Sequence, residues 1–243
     1  MKFLIVDAFS EKLFGGNPAG IVILPKGSDF PSDELMVKTA AELRYSETAF
    51  ISIMNNNEFK IRYFTPAAEV DLCGHATVGA FCALAHLGII KKGDTCINHT
   101  LAGDLEVEVG SGYVMMDMAE PRELLTISDE NSLKELYDVL GTKYEKTTKL
   151  LPEMISTGLP DIMVPVSSKE ALNAMAPDMK ALAVLSEKYQ VTGVHAFSIS
   201  REKGITAHTR NFAPLYDIDE EAATGTSSGA LTYYLYKNNL IEN

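Results

Sequence analysis

The sequence predicts an α+β fold of two similar domains, residues 1–118 and 119–243, each a curved mixed sheet wrapped around a central helix. Two observations carry this reading. The first is an internal repeat. "GNPAGIVIL" (16–24) resembles "GLPDIMVPV" (158–166), "ETAFISI" (47–53) resembles "VHAFSIS" (194–200), "YFTP" (63–66) resembles "NFAP" (211–214), and "CGHATVGA" (73–80) resembles "TGTSSGAL" (224–231). The offsets are 142, 147, 148 and 151 residues, rising steadily as small insertions in the second copy would produce. The second observation is the run from Ala76 to Ile90, in which only Thr77 and His86 are polar. A helix that is apolar all round belongs inside a core. This run is shorter than the roughly 20 residues a membrane span needs and too long for a strand.

Taken in order, Phe3–Ala8 reads as an apolar opening strand, with a less clear counterpart at Lys149–Ile155. A Gly-Xaa-Pro turn leads to strands at Ile21–Leu24 and Ile162–Val166. A helix follows at Ser32–Leu43, with Ser32 as N-cap and Asp33 and Glu34 in its first turn, and its partner lies at Pro177–Lys188. Two strands come next, Thr48–Ile53 and Lys60–Phe64, or His195–Ile199 and Ile205–Asn211. An acidic loop then opens the buried helix, Gly74–Leu87 or Gly225–Lys237. In the first copy three more strands follow, at Thr95–Thr100, Leu105–Val109 and Tyr113–Met118. Residues 125–147 read as an exposed helical connection. The second copy has no equivalent of those last strands, so its sheet is expected to be smaller and its open side covered, as at a dimer interface.

The 243 residues carry a net charge of −12, and the densest basic cluster is only Lys91-Lys92. Nucleic acid and anionic membrane surfaces are therefore poor partners. The N-terminus lacks the h-region of a signal peptide, and Cys73, Cys82 and Cys96 suit neither a disulfide framework nor a zinc site. The expectation is a reduced, cytoplasmic protein.

Several residues could carry chemistry. Gly74 and Gly225 open the two buried helices, whose first N–H groups attract anions, and together they suggest a site for a small carboxylic acid. Glu47, at the start of an apolar strand, suits acid–base work if partly buried. The repeat sets Val194 at the matching place, so the acid is one-sided. The alternative is an exposed strand-end glutamate. His75 either contacts substrate or caps its own helix. His86 reads as a core histidine, and His99, His195 and His208 are isolated. Cys73 at a helix start could act as a base, but the repeat matches it with Thr224, whose hydroxyl is too weak a base for a two-thiol racemase. Cys82 and Cys96 read as small buried hydrophobes. Glu220-Glu221 before the second helix, like Glu69 and Asp71 before the first, could serve the helix dipole alone.

The stretches "VDAFSEKLFGGNPAGIVIL", "YSETAFI", "YFTPAAEVDLCGHATVGA" and "RNFAPLYDIDEEAATGTSSGA" resemble the phenazine-biosynthesis PhzF-like family of isomerases, of the diaminopimelate-epimerase fold, from Val6 to about Tyr236. The resemblance implies two like domains with the site between them, a homodimer, and no cofactor or metal. It implies that Glu47, in Ser46-Glu47-Thr48, is the acid–base group, that His75 is the histidine of the family's Cys-Gly-His, that Gly74, His75, Gly225 and Thr226 bind a substrate carboxylate, and that Asn17 belongs to the Gly-Asn-Pro motif. The site expected from this has Glu47 moving the proton, His75 and Glu221 positioning the substrate or relaying the proton, and Asn17, Ser46 and Cys73 as further substrate contacts. The chain departs from the family where Glu221 replaces an aspartate, Ala222 a proline and Thr226 a serine. One extra methylene on an acid shifts its carboxylate by about an ångström, a distance that matters to catalysis. The leading expectation is a cofactor-independent isomerase of a small cyclic or unsaturated carboxylic acid. The alternatives are a one-thiol lyase or epimerase using Cys73, and a non-catalytic carboxylate-binding protein.

Overall fold

A computed structural model describes residues 1–145, 149–216 and 218–242. The backbone separates into two compact units, Met1–Asp117 and Met118–Asn243.

The first unit opens with β1 (Lys2–Ala8) and β2 (Asn17–Ile23), an antiparallel pair. Helix α1 (Asp33–Leu43) starts at Ser32, whose hydroxyl accepts the Leu35 N–H, and stops where Arg44 turns left-handed. It crosses the chain over to β3 (Thr48–Ile53), which runs parallel to β2. Then come β4 (Glu58–Phe64), the short β5 (Glu69–Val70), α2 (Gly74–His86), and the antiparallel β6 (Thr95–Thr100), β7 (Gly103–Val109) and β8 (Val114–Met116). The strand order is β1-β2-β3-β4-β6-β7-β8, with β5 on β4.

This sheet curls around α2. Ala76, Ala80, Phe81, Ala83 and Leu84 of the helix pack on Ala19, Ile21, Ala49, Ile51 and Tyr63 from the strands. Small residues let the helix approach closely, and a Cβ on Gly79 would already touch Val6. The opposite face, with Val22, Phe50 and Phe64, is covered by Met36 and Ala40 of α1. His86 is exposed, not a core residue, because it sits in the last turn of α2 beyond the cover of the sheet. Cys96 is buried, while Cys82 is only partly so.

The second unit contains β9 (Arg122–Thr126), α3 (Glu130–Val139), β10 (Glu153–Ser156), β11 (Pro160–Pro165), α4 (Lys169–Ala174), α5 (Met179–Tyr189), β12 (Gly193–Ile199), β13 (Ala207–Ala213), β14 (Ile218–Glu221) and α6 (Gly225–Lys237). Among the described residues its sheet has six strands, ordered β14-β13-β12-β11-β10-β9, against eight in the first unit. Helix α6 lies on one face through Ala230, Leu231, Tyr234 and Leu235. Side chains of α3, α4 and α5, among them Leu136, Leu172 and Leu182, cover the other. Two expectations change here. Helix α6 is amphipathic, with Ser228, Thr232 and Tyr236 exposed. The segment expected to be an exposed connection supplies core residues Leu133, Leu136 and Tyr137, because α3 has an apolar face; Lys146 and Thr147 of that segment lie outside the described residues. No helix among the described residues is long and apolar enough to cross a membrane.

The repeat extends into side-chain detail. Arg62 donates two hydrogen bonds to Glu69 at 2.7 and 2.6 Å, and Arg210 donates two to Glu220 at 2.8 and 2.7 Å. Strand register also corrects one equivalence. Thr48 pairs with Phe64 and Ala49 with Tyr63; Val194 pairs with Phe212 and His195 with Asn211. Since Tyr63-Phe64 matches Asn211-Phe212, Thr48 corresponds to Val194 and the counterpart of Glu47 is Gly193. The residue-by-residue match of the two segments is off by one, which in a strand means the wrong face.

Gly193 has no room for a side chain, because a Cβ there would lie 1.8 Å from the Phe212 carbonyl oxygen. Gly193→Ala should therefore force β12 and β13 apart and lower the melting temperature sharply, while Gly79→Ala, with its nearest contact at 3.5 Å, should fold close to wild type; equal melting temperatures for the two variants would contradict this. A second prediction concerns His195, which burial pushes down to about 4 while Asn211 partly opposes the shift. The unfolded chain binds a proton near the ordinary histidine value of about 6.5 and the folded one only near 4, so this residue makes the protein lose stability as pH falls between them. Denaturant unfolding of wild type and His195→Gln at pH 7 and pH 5 should show a smaller loss in the variant. Parallel losses would count against it.

Candidate active site

In the first unit, β3 and the first turn of α2 bring together Glu47, Cys73 and His75. Glu47 Oε2 lies 3.4 Å from His75 Nε2, and Cys73 Sγ lies 3.3 Å from His75 Nδ1. The Glu47 backbone carbonyl accepts the Gly20 N–H, which fixes the entry to β3 beside β2. Burial raises the Glu47 pKa above 4.5, against the lowering effect of hydrogen bonds from Ser46 and Cys73. Burial pushes His75 down to about 4. The imidazole is thus neutral at neutral pH, and its contact with Glu47 is a carboxyl–imidazole contact and not an ion pair. The donor atoms of Glu47, Cys73 and His75 all lie within 4.8 Å of one another, close enough to share a soft divalent cation.

Asn17 is buried at the start of β2, on the face that Ala19 and Ile21 present to α2, and Ser46 precedes Glu47 at the mouth of β3. Gly74 is open on its Cβ side, the nearest atom being Met116 Cε at 3.9 Å. Packing therefore does not require glycine there, whereas close approach of a ligand to the backbone would.

The start of α2 differs from that of an ordinary surface helix. Helices α1, α3, α4 and α5 are capped by the side chains of Ser32, Asp129, Ser168 and Asp178. The N-cap residues of α2 and α6, Cys73 and Thr224, make no such bond. Among the described residues, the two helices that open with the repeated Gly are the two whose N-cap side chain makes no capping bond.

In the second unit, the Gly225 and Thr226 turn is tied down from below. Ser227 donates to Asp161 Oδ2 at 2.5 Å, and Thr157 donates to the Thr226 carbonyl at 2.8 Å. Asp161 is wholly buried, and desolvation pushes its carboxyl up to about 6. Glu221 sits opposite Asn211 in the β13–β14 ladder, where the first unit has Val70 opposite Tyr63. Glu220, by contrast, is held by Arg210. Glu47, His75, Cys73, Gly74, Asn17 and Ser46 thus belong to one unit, and Glu221, Gly225 and Thr226 to the other.

Sequence reasoning missed two buried polar sets. One is Tyr63, Thr77 and Asn98 behind the start of α2; the other is Asp161, His195, Asn211 and Ser227 behind the start of α6. Thr77 was visible as a lone hydroxyl in an apolar run. Asp161 was visible as an acid in a strand otherwise made of Pro, Ile, Met and Val.

A family model for phenazine biosynthesis-like proteins, PhzC-PhzF, matches residues 6–243. The chain is 34% identical to the uncharacterized isomerase YfhB of Bacillus subtilis over 96% of its own length and 80% of that protein's. It superposes on the phenazine biosynthesis protein of the PhzF family from Bacillus anthracis with a TM-score of 0.84 and 27% identity, covering 97% of this chain and 80% of that one. A hydroxyproline epimerase from Agrobacterium vitis shares the fold alone, at a TM-score of 0.57 and 12% identity. The motifs around Glu47 and Cys73–His75, the two-unit α+β fold and these matches agree, and the chain belongs to the PhzF-like isomerase family of phenazine biosynthesis-like proteins.

Proposed function

We propose that this protein is a cofactor-independent isomerase that moves a proton on a small cyclic or unsaturated carboxylic acid, with Glu47 carrying the proton. The observation that carries the reading is a buried carboxyl beside a neutral imidazole, at a position whose counterpart, Gly193, has no space for any side chain. The repeat therefore offers one such acid and not two. As carboxylate, Glu47 takes a proton from a carbon next to the conjugated system; as carboxylic acid, it returns that proton to another carbon of the same system. Desolvation raises its affinity for the proton, which brings it nearer to the pH at which it works. A neutral His75 contributes hydrogen bonding without a charge that would pull the Glu47 pKa back down. The starts of α2 and α6, with Gly74, Gly225 and Thr226, are assigned to carboxylate binding, and Glu221 to placing the substrate.

The test is hydrogen–deuterium exchange into candidate carboxylic acids in D₂O, followed by turnover of any acid that exchanges. Glu47→Gln keeps the shape but cannot shuttle a proton, and should lose about 10² to 10⁴ in rate with little change in binding. Cys73→Ala should lose much less. An active Glu47→Gln with a dead Cys73→Ala would replace this reading by the one-thiol lyase or epimerase, for which the Cys73–His75 contact is the supporting observation. Carboxylate binding without any exchange would make the protein a binder.

The pH dependence follows from the same two groups. The deprotonated fraction of Glu47 grows as pH rises through its raised pKa, so kcat/KM should climb with pH along a limb lying above 4.5. His75, already neutral above about 4, should add no second limb between pH 5 and 8. A histidine-like step near 6.5 that vanishes in His75→Gln would contradict this assignment.

A further inference from the structure

Behind the first turn of α2 runs a chain of three buried hydrogen bonds. Asn98 Nδ2 donates to the Tyr63 hydroxyl at 2.9 Å, the Tyr63 and Thr77 hydroxyls are 2.6 Å apart, and Thr77 Oγ1 donates to the Cys73 carbonyl at 2.7 Å. The direction of the middle bond follows by elimination. Thr77 has one hydroxyl hydrogen and gives it to Cys73, so Tyr63 must donate to Thr77. Every donor in the chain points toward the Cys73 carbonyl, which also accepts the Thr77 N–H at 2.9 Å. Tyr63, Thr77 and Asn98 are all fully buried.

The Cys73 carbonyl and the Gly74 N–H belong to one peptide unit, and that unit is planar. Two bonds to the carbonyl oxygen fix the plane and draw electron density toward oxygen. The N–H on the other end becomes better aimed and a stronger donor, and successive hydrogen bonds in a low-dielectric interior reinforce one another. We infer that Tyr63, Thr77 and Asn98 are positioning residues that orient and polarise the Gly74 N–H as a donor to the substrate carboxylate. This inference rests on the proposed role of the α2 start in carboxylate binding.

The second unit shows that the fold does not need the relay. There Ser228 donates to the Thr224 carbonyl as Thr77 does to Cys73, but Ser228 is exposed. The counterpart of Tyr63 is Asn211, which turns to His195 instead. Among the described residues, the relay occurs in the unit that carries Glu47 and has no equivalent at the matching positions of the other.

The test is the amide resonance of Gly74 in a ¹H–¹⁵N spectrum of the whole protein, with benzoate as the carboxylate probe. Tyr63→Phe removes the relay while keeping the ring; Thr77→Val removes the last donor; Thr77→Ser restores it. The Gly74 amide proton should move upfield in Tyr63→Phe and Thr77→Val and return in Thr77→Ser. Benzoate affinity should fall about fivefold in the first two, the equivalent of one ordinary hydrogen bond. With a turned-over substrate the loss should appear in KM, leaving kcat nearly unchanged. A Gly74 amide that stays in place in folded Tyr63→Phe or folded Thr77→Val overturns the inference, and the Thr77 pair carries the test alone if Tyr63→Phe does not fold. Absence of any benzoate-induced shift at Gly74 in wild type would overturn the carboxylate reading and leave the relay to be judged by the free-protein shifts.

Discussion

Glu47 loses most of its water where β3 begins, and the bonds from Ser46 and Cys73 do not offset that loss. Everything around it follows from keeping a carboxyl in that place. The parallel β2–β3 pairing sets the height at which β3 starts, since Gly20 binds the Glu47 carbonyl. The small residues of α2 let the sheet close on the helix, which carries Cys73 and His75 to the same height. The same burial that raises Glu47 lowers His75. The two shifts have one cause and leave a protonatable acid beside an uncharged base.

Repetition within the chain makes this arrangement easier to interpret. Two units that share one five-strand core, β1-β2-β3-β4-β5 in the first and β10-β11-β12-β13-β14 in the second, have diverged where chemistry is expected. The position of Glu47 is taken in the second unit by a glycine with no room for a side chain, and that of Glu221 is taken in the first unit by Val70. Structural features have stayed: the Arg62–Glu69 and Arg210–Glu220 forks hold equivalent hairpins. Because burying a carboxyl is costly even when it is hydrogen-bonded, a carboxyl present in one unit and excluded from the other points to use and not to packing.

Much of this was legible in the sequence. The apolar run from Ala76 fixed a buried helix because no other element accommodates fifteen residues with so few polar atoms. Ser32 and the acids after it located α1, since a side-chain cap is a local signal. What was not legible depended on distant partners. The Glu47–Val194 match failed by one residue because face is set by strand pairing, and only the ladder with Tyr63-Phe64 and Asn211-Phe212 reveals it. His86 misled because an apolar run does not say where the sheet ends. α6 shared its glycine start with α2 but not its surroundings, so likeness in sequence overstated its burial. The relay through Tyr63 and Asn98 joins residues 35 apart in the chain, and no motif announces it.

The claim at the centre is that Glu47 is held protonated above the range of an ordinary glutamate. Its titration can be read without a substrate, from the carboxyl stretch in the infrared difference between wild type and Glu47→Gln as pH is raised. The account predicts a protonated-carboxyl band that persists above pH 4.5 and disappears in a single step at higher pH. A band already lost at pH 4.5, as for a solvated carboxylate, would contradict it.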